Sequence, residues 1–243
     1  MDALNLDIFN SISLDEMNSV SLMKRVDTKF VLHRDTIQGI LVKIQPDYKI
    51  LQVASDRLMT YNSIYFDTED DHFYHMHHNG HSHRLKVRIR NYVESNLCFL
   101  EVKQKDSQGN TLKKRIKMNE LTSTLGEEAI TFVTKTTAKQ IKLHRSIENQ
   151  FNRFTLVSTA LQERVTIDTN LSYNGVIFNK DLVIIELKQE KLNRLSPLFR
   201  ALKAQSINPY SISKYCMGMA STKPDLKQNL LKPKFLKINK VTT

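Results

Sequence analysis

The chain has 243 residues, 36 Lys and Arg against 25 Asp and Glu (net charge +11), and six glycines. Those glycines are dispersed, which excludes both common phosphate-cradling loops, each of which needs clustered glycines for close backbone approach. Any phosphate ligand must therefore be held by side chains. A composition of 40% hydrophobic and 25% charged residues is that of a folded protein with a sizeable core. The apolar runs are short, as at Leu182 to Ile185, so no bilayer-spanning helix is expected. The first twenty residues hold acids and no Lys or Arg, unlike a secretory signal. Cys98 and Cys216 form no paired motif. These features together read as a reducing, cytoplasmic protein.

In chain order, Arg25 to His33 alternates, with Arg25, Asp27 and Lys29 on one face and Val26 and Phe30 on the other. A helix is expected from Asp35, as cap, through Ile37, Ile40, Leu41 and Ile44, ending before Pro46. Tyr48 to Val53 and Leu58 to Asp67 read as strands. Six of the eight histidines (His72, His75, His77, His78, His81, His83) then cluster. We weigh a phosphate-adjacent or structural role for them above an imidazole metal site.

The basic excess is concentrated in two places. From Arg84 to Lys117 there are ten basic residues and three acids, a net of +7. Arg84, Lys86, Arg88 and Arg90 alternate with Leu85, Val87 and Ile89, so a strand puts all four cations on one face. Leu97 to Lys105 repeats this, and after a turn at Asp106 to Asn110 a third run aligns Lys113, Arg115 and Lys117. A solvated strand face normally mixes charge signs, because like pairs about 5 Å apart cost roughly 3 kcal/mol at an effective dielectric of 20. Three strand faces dominated by cations, with Glu101 beside Lys103 and Lys105 on the second, favour a polyanion-binding surface over an idle one. The second concentration is the tail, residues 221–243, with six lysines and one acid. It reads as a poorly ordered terminus, with a polyanion, membrane or partner dock as the alternative.

Leu121 to Phe151, threonine-rich and without clear alternation, reads as helical. Strand character returns at Phe154 to Val157, Arg164 to Thr169, Leu171 to Phe178 and Asp181 to Lys188. Pro197 opens a helix to about Gln205, and Ser211 to Met219 forms a short one. The sum is an α+β fold: a mostly antiparallel β-barrel of about eight strands with peripheral helices and basic faces inward.

Several motifs carry a resemblance when taken together. They are Met23 to Phe30, Tyr65-Phe66-Asp67-Thr68, His77-His78-Asn79-Gly80, Arg84-x-Lys86-x-Arg88-x-Arg90-x-Tyr92, Leu100-Glu101-Val102-Lys103 and Lys113-Lys114-Arg115-Ile116. Further along come Arg164 to Asp168, Ile185-Glu186-Leu187-Lys188 and Ser213-Lys214-Tyr215. In this order the chain resembles the polyphosphate polymerase domain of the vacuolar transporter chaperone (VTC) family, of the triphosphate tunnel superfamily. The resemblance implies a tunnel domain at residues 21–220, between an N-terminal segment (1–20) and a basic tail (221–243).

It further implies that Lys29, Arg88, Arg90, Lys103, Lys113 and Arg164 hold phosphates. Arg153 joins them, in a stretch that departs from the family's tyrosine and arginine pattern. Lys188, Ser213 and Lys214 would lie near the reacting end, and Glu186 would hold Mn²⁺ or Mg²⁺. The implied activity is transfer of the γ-phosphate of ATP to a growing polyphosphate chain. Alternatives are a triphosphate or polyphosphate hydrolase of the same fold, or a non-catalytic polyanion binder. A hydrolytic sister group carries Glu-x-Glu-x-Lys on its first strand, where this chain has Arg25-x-Asp27-x-Lys29. Losing the first acid argues for transfer over hydrolysis. ATP and polyphosphate are the implied partners. Nucleic acid is not expected, since there is no tryptophan and no RNA-binding aromatic motif. A membrane-protein partner is a further expectation, because eukaryotic VTC relatives work within membrane assemblies.

Overall fold

The computed structural model describes residues 4–18, 26–108 and 110–243. In chain order the elements are β1 (Ser11–Ile12), α1 (Leu14–Asn18), β2 (Val26–His33), α2 (Arg34–Ile44), β3 (Lys49–Leu51), β4 (Met59–Asp67), α3 (His72–His78), β5 (Arg84–Tyr92), β6 (Leu97–Lys105) and β7 (Thr111–Met118). The second half adds α4 (Glu127–Thr137), β8 (His144–Ser158), β9 (Glu163–Tyr173), β10 (Val176–Ile177), β11 (Leu182–Gln189), α5 (Pro197–Ala204), α6 (Lys214–Thr222) and α7 (Lys232–Val241).

Eight strands form one antiparallel path in the order β2-β11-β9-β8-β4-β5-β6-β7, with β1, β3 and β10 attached at its margins. The register puts Lys29 opposite Glu186, Arg88 opposite Glu101, Arg153 opposite Asp168, and Lys103 opposite both Lys86 and Lys113. Directly opposed residues share a face, so this register gathers Lys29, Lys86, Arg88, Lys103, Lys113, Arg153, Asp168 and Glu186 on one side. The sheet rolls around that side like a barrel. Among the described residues its end strands β2 and β7 do not pair, so the roll is left open.

The opposite face is apolar and covered. Ile37, Ile40, Leu41 and Ile44 form one stripe of α2 and, with Leu198, Phe199 and Leu202 of α5, pack on Phe30, Phe154, Val165 and Ile185. Farther round, α4 places Ala129 and Val133 on Val87, Ile89, Leu100 and Val102. Helix α5 starts as its sequence requires, with Ser196 Oγ accepting from Phe199 N and Pro197 in the first turn. Helix α2 is capped by His33, whose Nδ1 accepts from Asp35 N, rather than by Asp35.

Inside the roll, one end is filled rather than hollow. The buried side of α6 (Tyr215, Cys216, Met219) packs with Val31, Tyr65, Ile147, Leu171, Tyr173 and Ile184. Asn170, at φ +53° beside a register shift in the β8–β9 ladder, lets Leu171 and Tyr173 join that plug while Asp168 keeps its place on the same concave side.

Three expectations change. The stretch Leu121 to Phe151 is helical only over α4; from His144 it belongs to β8, at fifteen residues the longest strand. Its period is disguised because the inward set Ile147, Asn149, Phe151 includes a buried asparagine (1% exposed). The basic tail is ordered: α7 buries Ile238, and Leu231 just ahead of it is buried too. The helix expected at Ser211 to Met219 begins at Lys214, with Ser213 as its cap. Met23, Lys24, Arg25 and the turn residue Gly109 lie outside the described residues. No described helix is long and apolar enough to cross a membrane.

Candidate functional site

The concave face encloses a cavity of about 290 Å³ that opens into an outer one of about 760 Å³. The two share Asp27, Lys29, Lys86, Lys103, Glu186 and Ser213. Nine cations line the inner cavity: Lys29, Lys86, Arg88, Arg90, Lys103, Lys113, Arg153, Lys188 and Lys214. Thus every phosphate-contact residue named from sequence except Arg164 is brought to one lumen, together with Glu186, Lys188, Ser213 and Lys214. Arg164 stays out of the lining and donates to the carbonyl of Met17 (3.2 Å).

Four carboxylates organise the cations. Glu101, 2% exposed, takes the Arg88 guanidinium (2.6 Å) and the Lys113 ammonium. Burial opposes its ionisation, but the two cations hold its pKa at about 2. Asp168 accepts a two-point contact from Arg153 (2.5 and 2.8 Å) and a bond from Lys214. It too is held at about 2 against burial, by Arg153 and then Lys214. Glu186 lies 2.5 Å from Lys188 and 3.7 Å from Lys29, and despite burial these push it well below the ordinary carboxylate range. Asp27 lies 3.7 Å from Lys188.

The remaining three cations, Lys86, Arg90 and Lys103, have no carboxylate within 4 Å among the described residues. Arg90 is 6% exposed, donates to Ser63 Oγ (2.9 Å), and stands over the rings of Tyr61 and Phe151 at 5.4 and 5.5 Å. The same stacked pair lies under Arg153 and, through Phe151, under Lys214 (4.6 Å). A ring face steadies a cation without neutralising it. Lys86 donates to Ser213 Oγ (3.2 Å), and burial, with Lys29 and Lys103 near, brings its pKa down to about 8. Arg90 is buried and Lys86 half-buried, and unmatched charge of one sign away from water is costly unless an anion completes it; Lys103 keeps contact with solvent. The lumen therefore suits an anion of several negative charges.

Tyr65 was not singled out from sequence as a site residue. It is buried, its hydroxyl is 3.0 Å from Arg88 Nη1, and its ring stacks on Tyr215. Burial would raise its pKa, but Arg88, Arg90 and Lys86 together pull it down to about 7. Asp168 and Glu101 were likewise missed, although both stand at inward positions of quoted motifs. Alternation alone marks an inward residue without saying which cation it will meet.

Among the described residues no three His, Cys, Asp or Glu side chains converge as a metal cage, and this covers the histidine cluster. His77 lines the outer cavity; burial, then Lys86 and Arg84, keep it neutral at pKa about 2. His78 is buried, and its Nε2 accepts from Leu230 N (3.3 Å). Glu186 and Asp27, facing the lumen from neighbouring strands, make a two-carboxylate set. That set fits a hard divalent cation whose other ligands are phosphate oxygens and water.

A rolled antiparallel sheet with this cationic lumen is the triphosphate tunnel fold. Solved structures that share the fold include the following two. One is a Bacillus halodurans protein described as a candidate adenylate cyclase, 14% identical, with a TM-score of 0.52 over 78% of this chain and 94% of that one. The other is a Hippeastrum protein described as a candidate adenylyl cyclase with a dominant triphosphatase activity, also 14% identical, with a TM-score of 0.51 over 82% of this chain and 96% of that one. Residues 24–223 match the VTC domain, and the chain belongs to that family. Comparison with curated protein sequences gives no match.

Proposed function

We propose that the chain is an ATP-dependent polyphosphate polymerase, which moves the γ-phosphate of ATP onto the end of an inorganic polyphosphate chain held in the tunnel. The observation that carries this reading is the group of lumen cations, Lys86, Arg90 and Lys103, that meet no carboxylate within 4 Å among the described residues, beside six that are paired. A linear phosphate chain supplies the missing negative charge.

In the reaction a terminal phosphate oxygen of the chain attacks the γ-phosphorus. The bond from that phosphorus to the β-phosphate oxygen breaks, and ADP leaves as the chain gains one unit. No protein nucleophile is needed, so catalysis is positioning and charge stabilisation. Arg88, Arg90 and Arg153 suit two-point contact with phosphate oxygens, while Lys29, Lys103 and Lys113 act as point charges. Lys188, Lys214 and the Ser213 hydroxyl would meet the transferring group. Glu186, with Asp27, would hold Mn²⁺ or Mg²⁺, which when bound adds charge neutralisation at the phosphates.

Hydrolysis of triphosphate is the second reading, favoured by the paired carboxylates Asp27 and Glu186 on adjacent strands. Against it stands Arg25, where the hydrolytic pattern has its first acid. Incubation of the purified protein with ATP and Mn²⁺, resolved on a gel, decides between them. Long polymer with ADP supports the polymerase; ADP and free phosphate without polymer refute it.

A further inference from the structure

Helix α7 lies wholly beyond residues 24–223, which carry the family match. It is nevertheless fastened to the wall of the outer cavity. Leu231 and Ile238 are buried, and Phe235 packs 6.2 Å from Phe178. Tyr210 N donates to the Lys29 carbonyl (2.7 Å), Lys29 Nζ donates to the Ile212 carbonyl (3.2 Å), and Tyr210 Oη donates to the Pro233 carbonyl (3.3 Å). The tunnel residue Lys29, the wall segment 209–213 and the start of α7 thus form one hydrogen-bonded unit.

Lys234 is carried by this unit. Its ammonium donates to the Ser211 carbonyl (2.5 Å) and stands 5.5 Å from the centre of the Tyr210 ring. Both Tyr210 and Ser211 line the outer cavity. Among the described residues no carboxylate lies within 4 Å of Lys234. By contrast Lys223, in the same tail, is neutralised by Asp71 at 2.8 Å. Burial and then the nearby Lys29 weigh against the charge of Lys234. A helix free to place this lysine in water would avoid both costs, and an anion shared by the two ammonium groups removes them.

We propose that α7 is part of the tunnel mouth and that Lys234, with Lys29 and the 209–213 segment, forms an outer phosphate subsite for a linear polyphosphate too long for the inner cavity. The subsite rests on reading the lumen as a phosphate tunnel, and it does not require ATP turnover. It gives the basic tail a specific task, in which one lysine of six grips the emerging chain.

The test is equilibrium binding to the full chain of two probes, tripolyphosphate and long-chain inorganic polyphosphate. Lys234→Gln should weaken the long chain by about 3- to 10-fold, lower the slope of log affinity against log salt by roughly 0.7–1, and leave tripolyphosphate binding within twofold. Lys234→Arg should restore the long-chain affinity, and Lys240→Gln on the same helix should change neither. Equal weakening of both probes, or of neither, overturns the subsite. On the unmutated chain, long-chain polyphosphate should shield Lys234 from amine acylation, read by mass spectrometry, while tripolyphosphate does not. Unshielded Lys234 overturns it whatever the folding of the variants. A failed polymerase reading would show separately, as no polymer on the gel with both binding results intact.

Discussion

Replacing Asp168 by Asn tests whether the lumen's charges are held as described. The residue is 3% exposed and carries two largely buried cations, Arg153 by a two-point contact and Lys214 by a third bond. Its carboxyl is held at about 2 against an ordinary 3.8, which at about 1.4 kcal/mol per pKa unit is worth roughly 2–3 kcal/mol at pH 7. Stripping one partner from a buried ion pair costs about 3–5 kcal/mol. The two figures converge near 3 kcal/mol. For a chain of this length that lowers the melting temperature by roughly 6–12 °C. The native pKa is the depressed one, so this stability is complete above pH 4 and fades as pH falls toward 2. Urea unfolding of Asp168→Asn and the unmutated protein should therefore differ most near neutrality and converge in acid. Tripolyphosphate should stabilise the variant more than the parent, because an anion then meets two released cations. A difference under about 0.5 kcal/mol at pH 7, or one that persists unchanged at pH 2–3, would refute the reasoning.

Arg90→Met should leave stability unchanged or raise it by about 1 kcal/mol, since removing one like charge offsets the lost Ser63 bond, while phosphate affinity falls about tenfold or more. A large loss of stability with binding intact would contradict this. Tyr65 should ionise near pH 7, visible as one tyrosinate absorbance step near 295 nm that Tyr65→Phe abolishes and tripolyphosphate moves upward by competing for Arg88. Because its native pKa is depressed, its contribution to stability grows as pH rises from 7 toward 10 and is lost below 7; no step below pH 9 would exclude it. Gly218→Ala would put a Cβ 2.5–2.7 Å from the Tyr173 ring and the Ile147 methyl, inside a packed plug. About 1–3 kcal/mol of destabilisation is expected, along with weaker phosphate binding, because Tyr173 Oη donates to the Lys214 carbonyl (2.7 Å). An unchanged melting curve would show that α6 has room to move.

How much was legible in advance depended on the range of the physics involved. Alternation is a property of neighbouring residues, so Leu97–Lys105 could be delimited as a strand, and Arg84 to Arg90 could be placed with every cation on one side. The cap at Ser196 and the proline after it are equally local, and α5 starts where they put it. The first half of strand β8, up to Phe151, escaped because its inward positions include the buried Asn149, which erases the contrast on which period-2 reading depends, whereas Phe154 to Val157 further along it reads as strand. The tail escaped because it spaces apolar Leu231, Phe235 and Ile238 among lysines, and only the finished plug supplies a surface worth burying them against.

Length, charge distribution and the joint motifs sufficed to place the chain among phosphate tunnels without any glycine loop. They could not say which cations would be neutralised. Asp168 reaches Arg153 on β8 and Lys214 on α6, across separations of 15 and 46 residues, whereas Lys86, Arg90 and Lys103 meet no carboxylate within 4 Å among the described residues. That division arises only when the sheet rolls, because opposite charges far apart in the chain interact strongly only once register and burial bring them together.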